Sequence, residues 1–109
     1  MNVLVIDIGG SNIKILATGQ AERIKIPSGV DFTPGQLVDL VQKATAEAGW
    51  KFEVVTVGFP GVVKQGKIIS DPVNLGKGWM GFDFEQAFGC PVKVINDAAM
   101  QALGSYEGG

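Results

Sequence analysis

Histidine is absent from the 109 residues, and cysteine occurs once, at Cys90. Without histidine, Ser-His-Asp and Cys-His schemes are excluded within this chain, and proton transfer near neutral pH falls to a carboxylate, a lysine, a tyrosine or the single thiol. One cysteine excludes an internal disulfide, and no cysteine or histidine spacing offers a zinc site, which points to a reducing compartment. Basic clusters are also missing. Nine Lys and Arg against eleven Asp and Glu give a net charge of −2, so no field exists for a phosphodiester backbone and nucleic acid is not expected as a partner. The apolar start Met1-Asn2-Val3-Leu4-Val5-Ile6 lacks a basic flank and meets Asp7 and Gly9-Gly10 too early for a signal peptide or membrane span. It reads as a buried strand of a cytoplasmic protein with no membrane partner.

What is present is a globular balance, 46% hydrophobic and 18% charged, in a length suited to one domain. Val3 to Ile8, Asn12 to Ala17 and Glu22 to Ile26 read as a three-strand meander separated by Gly9-Gly10 and Gly19-Gln20. Leu37, Leu40, Val41, Ala44 and Ala48 recur at helical spacing after Pro34, with Thr33 as cap and Gly49 as stop. Val54 to Val57 is a further strand, and Val62-Val63 and Lys67-Ile68-Ile69 flank Gln65-Gly66 as a small hairpin. Ser70 to Gly81 reads as an ordered loop, Phe82 to Phe88 as a short helix capped by Asp83, Pro91 to Ile95 as a last strand and Asp97 to Tyr106 as a helix. A hairpin meander followed by strands reached through helical crossovers predicts an α/β, ribonuclease-H-like lobe. Its mixed five-stranded sheet is antiparallel over three strands, then parallel, with flanking helices.

Asp7 is the odd residue, because a carboxylate within an apolar strand is costly unless paired, hydrated or bound to a cation. Gly9-Gly10-Ser11-Asn12 follows it. The glycines allow backbone amides to converge on an anion, Ser11 adds a hydroxyl, and Lys14 projects on the same face as Asn12. A plain hairpin turn is the competing reading. The nearby aspartate, suited to hydrated Mg²⁺, and the lysine turn the balance toward phosphoryl transfer. Asn96-Asp97 has a similar duality. Asp97 can cap the helix it opens, yet the C-terminal end of a parallel strand is also where α/β sheets hold ligands, and both roles can coexist.

Asp7-x-Gly9-Gly10-Ser11-x-x-Lys14 after a buried strand resembles the first phosphate motif of the ROK family of sugar kinases, within the actin, Hsp70 and hexokinase superfamily. Asn96-Asp97-Ala98 resembles that family's sugar-contacting pair, which implies Asp97 as catalytic base and Asn96 as a sugar ligand. Gly58-Phe59-Pro60-Gly61-Val62-Val63 and Asn74-Leu75-Gly76-Lys77-Gly78-Trp79 are similar to segments that wall the family's sugar pocket, which implies Gly61 and Asn74 as sugar contacts and Trp79 as pocket support or core anchor. Together with Lys77-Gly78-Trp79-Met80-Gly81, these motifs are most similar to glucokinases that use polyphosphate, some of which also use ATP.

The resemblance covers residues 1–109 as an N-terminal small lobe, with a C-terminal lobe absent from this chain. It implies a hexose acceptor, ATP or polyphosphate as donor, Mg²⁺, and an isolated lobe that is inactive alone. Alternatives are the sugar-sensing lobe of a ROK-type transcription regulator, disfavoured by the negative charge and the strand beginning at the first residues, and an actin-like or chaperone-type ATPase, disfavoured by Asn96-Asp97. A non-catalytic fragment that self-associates through exposed apolar surface is the last, and a homo-oligomer is expected.

Overall fold

The computed structural model describes residues 2–9, 12–28, 32–69 and 78–96. Strands β1 (Val3–Ile8), β2 (Asn12–Ala17) and β3 (Ile24–Pro27) form the meander, followed by α1 (Pro34–Ala48) and β4 (Val54–Phe59). A hairpin of β5 (Val63–Lys64) and β6 (Lys67–Ile68), the short α2 (Phe84–Phe88) and β7 (Val92–Asn96) complete the order. The five long strands lie in the order β3-β2-β1-β4-β7. Pairing is antiparallel between β3, β2 and β1, and parallel from β1 through β4 to β7. The predicted helix from Asp97 lies outside the described residues.

Strand alternation explains how one side of this sheet becomes the core. Leu4, Ile6 and Ile8 of β1 pair with Ala17, Ile15 and Ile13 of β2, and Leu4 and Ile6 pair with Val55 and Val57 of β4, so these side chains share one face. All are buried, and Leu37, Val38 and Val41 of α1 join the same cluster. α1 has the local signals to form where it does. Thr33 accepts from the Gln36 amide while the Gln36 side chain accepts from the Thr33 amide, Pro34 opens the first turn, and Gly49 takes the left-handed conformation that ends it. Gln65 and Gly66, both at positive φ, make the β5–β6 turn.

Trp79 is wholly buried beside this face, in ring contact with Phe32, Phe59 and Phe84, and its indole Nε1–H donates to the Phe32 carbonyl at 3.0 Å. It is therefore a core anchor, with its polar atom satisfied as burial demands. Several strand limits differ from the sequence expectation, the start of β3 and the end of β4 by two residues each. β3 starts at Ile24, where pairing with Ile15 begins, and β4 runs on to Phe59, because Gly58 and Phe59 pair with Ile95 and Asn96. Trp79→Ala is expected to lower the unfolding free energy of the chain by roughly 3–5 kcal/mol in urea titration, the usual cost of emptying a buried aromatic site; a loss below about 1 kcal/mol would contradict the anchoring role.

Candidate functional site

The parallel alignment of β1, β4 and β7 brings their C-terminal ends to one edge of the sheet. β1 leads into the Gly9–Asn12 turn, β4 into Pro60-Gly61, and β7 ends at Asn96. Two interstrand spacings of about 4.8 Å put the first and last of these roughly 10 Å apart. Crevices outside the carboxyl ends of parallel strands are where open α/β sheets bind ligands.

Gly9 is held tightly at the first end. Its N–H donates to the Asn12 carbonyl at 2.9 Å, and its carbonyl accepts from the Ser28 hydroxyl at 3.1 Å. A Cβ at Gly9 would lie 2.9 Å from the Asn12 oxygen, so the close approach of the two strands requires glycine. Asp7 occupies the face of β1 opposite Leu4, Ile6 and Ile8, half-buried and outside the main core. The pleat thus moderates the desolvation that the apolar sequence around it suggests. On that face Asp7 stands directly across from Lys14 of β2, and Lys14 directly across from Lys25 of β3. Such partners have Cβ atoms roughly 4.5–5.5 Å apart, so one aspartate and two lysines stand in a row below the turn. Asn12, two residues from Lys14 on β2, shares its face as expected.

The other two ends are tied to each other. Asn96 Nδ2 donates to the Gly61 carbonyl at 2.8 Å, joining two of the predicted sugar contacts directly. Gly61 also rests on the core, since a Cβ there would come within 2.6 Å of the Phe59 ring, which packs on Trp79 with ring centroids 5.6 Å apart. The loop is positioned from below by Phe59 and from the side by Asn96.

Gly10, Ser11, Asn74 and Asp97 lie outside the described residues. Ser28 was not singled out by the sequence. It follows the end of β3, and only the Asn12–Pro27 register brings it to the turn, a pairing that no local pattern encodes. Cys90, the alternative proton-transfer group, precedes β7 and so lies toward the opposite edge of the sheet. Burial first, and the nearby Glu85 charge second, push its thiol up, so it stays protonated at neutral pH. A groove of about 430 Å³ lined in part by Lys67, Phe82, Phe84 and Val92 contains none of the residues at the three strand ends. Among the described residues no three acidic, cysteine or histidine side chains gather as a metal cage, and no helix is long and apolar enough to cross a membrane.

The ROK family model matches residues 3–108. The chain belongs to the ROK family. No curated protein matches it in sequence. Among solved structures, it is similar to a ROK family glucokinase from Streptomyces griseus in complex with glucose and AMPPNP, at 26% identity and a TM-score of 0.74 over 98% of this chain and 36% of that one. It shares its fold with a ROK hexokinase from Thermus thermophilus (23% identity, TM-score 0.71, 99% of this chain and 40% of that one). A ROK family protein from Streptococcus pneumoniae in complex with sucrose also has this fold (23% identity, TM-score 0.74, 98% and 38%). The chain therefore spans about 36–40% of the length of these ROK structures, and its fold is the ribonuclease-H-like lobe of actin-like ATPases. Because Gly61 and Asn96 hold one ROK loop in common, Gly61→Ala and Asn96→Ala are each expected to cost roughly 1–3 kcal/mol in urea unfolding, the first by overpacking and the second by leaving a part-buried carbonyl unpaired. Their double variant should fall short of additivity by at least about 0.5 kcal/mol, whereas strict additivity would show the two act separately.

Proposed function

We propose that this chain is the N-terminal lobe, residues 1–109, of a cytoplasmic, homo-oligomeric ROK hexose kinase that transfers the terminal phosphoryl group of ATP or polyphosphate to a hexose hydroxyl, glucose first among candidates. The observation that carries this reading is the Asn96–Gly61 hydrogen bond at the same sheet edge as the tightly held Gly9 turn, which sets a polar sugar-side platform about two strands from an anion-side loop.

In this reading the turn formed by Gly9, Gly10, Ser11 and Asn12 offers amides and a hydroxyl to the donor phosphates, and Lys14 adds a cationic head. Lys25, across from it, strengthens the positive end of the row. Gly61, Asn74, Asn96 and Asp97 surround the sugar. Asp97 takes the proton from the attacking hydroxyl as that oxygen bonds to phosphorus and the bond from phosphorus to the donor oxygen breaks. With Cys90 remote and protonated, a carboxylate is the fitting base.

Asp7 fits hydrated Mg²⁺, since that ion keeps several waters and needs only one or two carboxylates beside the donor phosphates, and a single half-buried carboxylate is what β1 offers. The ion, when bound, would neutralise charge on the donor oxygens. Alone, the lobe would hold the donor from one side and leave the cleft wet, so turnover is assigned to the longer protein with its C-terminal lobe.

Hexose phosphorylation by that full-length protein tests the reading. Asp97→Asn should reduce kcat by roughly 10²–10⁴ while leaving hexose binding measurable, the range expected for losing a general base. Near-normal turnover of the variant would remove Asp97 from the base role.

A further inference from the structure

We propose that Ser28 is a positioning residue for the phosphate loop, its hydroxyl fixing the peptide plane through which β1 enters the turn. This rests on reading Gly9 to Lys14 as the donor-phosphate site. The bond from Ser28 Oγ to the Gly9 carbonyl is 3.1 Å long, part-buried, and joins residues 19 apart in sequence.

β3 delivers the serine. Pro27 pairs with Asn12, the first residue of β2, so the next residue overhangs that strand and reaches the turn joining β1 to β2. With its N–H bonded to the Asn12 carbonyl and its own carbonyl bonded to Ser28, Gly9 is clamped through both backbone polar groups.

The clamp matters because of what glycine withholds. Gly9 is followed by Gly10, and neither carries a Cβ to restrict the rotations on either side of their shared peptide bond. In a trans peptide the carbonyl and the following N–H lie in one plane and point in opposite directions. A hydroxyl that holds the carbonyl therefore also sets the direction open to the amide sharing that plane, the first donor of the loop. Ser28 supplies a restraint at Gly9 that glycine lacks, which lowers the ordering that anion binding must otherwise provide. A merely structural tie would alter stability and leave the balance between donor and acceptor affinity unmoved.

The test uses the full-length protein and its Ser28→Ala and Ser28→Thr variants. Ser28→Ala should raise the donor KM roughly three- to tenfold, the scale of one neutral hydrogen bond, with the hexose KM unchanged and only a modest fall in melting temperature, and Ser28→Thr, which keeps the hydroxyl, should restore the donor KM. An unchanged donor KM in Ser28→Ala overturns the proposal, as does a parallel rise in both KM values with a lowered melting temperature that threonine does not rescue. Calorimetric binding of tripolyphosphate without sugar separates the two levels of inference. Wild-type protein that binds tripolyphosphate in a Ser28-dependent way but phosphorylates no hexose would refute the kinase reading and support the positioning role. Wild-type protein that binds none would refute both.

Discussion

Parallel pairing of β1, β4 and β7 is the constraint on which everything functional here depends. It sets Asp7 beside Gly58, and Phe59 beside Asn96, and thereby carries three separate stretches of sequence to one edge. A shift of one residue in the β4–β7 register would turn Val94 away from the core and draw Asn96 from the Gly61 carbonyl. The same buried residues that fix the register for packing thus fix it for the site: Val55, Val57 and Phe59 on β4 alternate onto the core face, and the chain turns at Pro60-Gly61 immediately beyond. Packing and chemistry are not separate layers in this lobe.

The two faces of the sheet divide the work. One holds Leu4, Ile6, Ile8, Ile13, Ile15, α1 and the aromatic group around Trp79. The other carries the row of Asp7, Lys14 and Lys25, where oppositely charged residues stand in register across one strand pair and like-charged residues across the next. Cross-strand like charges are unfavourable in themselves, and an anion above the turn would relieve them. The loops at the edge are stiffened by short, specific contacts: Ser28 on Gly9, Asn12 on Gly9, Asn96 on Gly61 and the Phe59 ring under Gly61. Rigid support of this kind is what a site needs to hold a ligand without reordering.

Much of this was legible in the sequence, and the division between what was and was not follows the range of the interactions. β1, β2 and α1 announce themselves through local signals, namely the apolar alternation of Val3 to Ile8, the glycines after it, and the Thr33 cap with Gly49 at the far end. The end of β4 lies two residues beyond the sequence expectation because Gly58-Phe59-Pro60-Gly61 has turn chemistry, while pairing with a strand more than thirty residues later keeps Gly58 and Phe59 extended. Asp7 looked buried because its sequence neighbours are apolar; the pleat puts it on the other face. Trp79 suits pocket or core by sequence alone, and its contacts with Phe32, Phe59 and Phe84 put it in the core. Ser28 was invisible, since a serine after proline at a strand end has no local mark of the turn it supports. Asp97, the proposed base, lies outside the described residues, and its assignment rests on its likeness to the ROK motif.

On the proposed reading, donor phosphates and hexose meet different strand ends of this one edge. Amide chemical shifts of the full-length protein, titrated separately with tripolyphosphate and with glucose, test it most directly. The account predicts that tripolyphosphate perturbs the amides of Gly9 to Lys14 and that glucose perturbs those of Gly61, Asn96 and Asp97. Perturbation of the same set by both ligands, or of neither set by either, would contradict it.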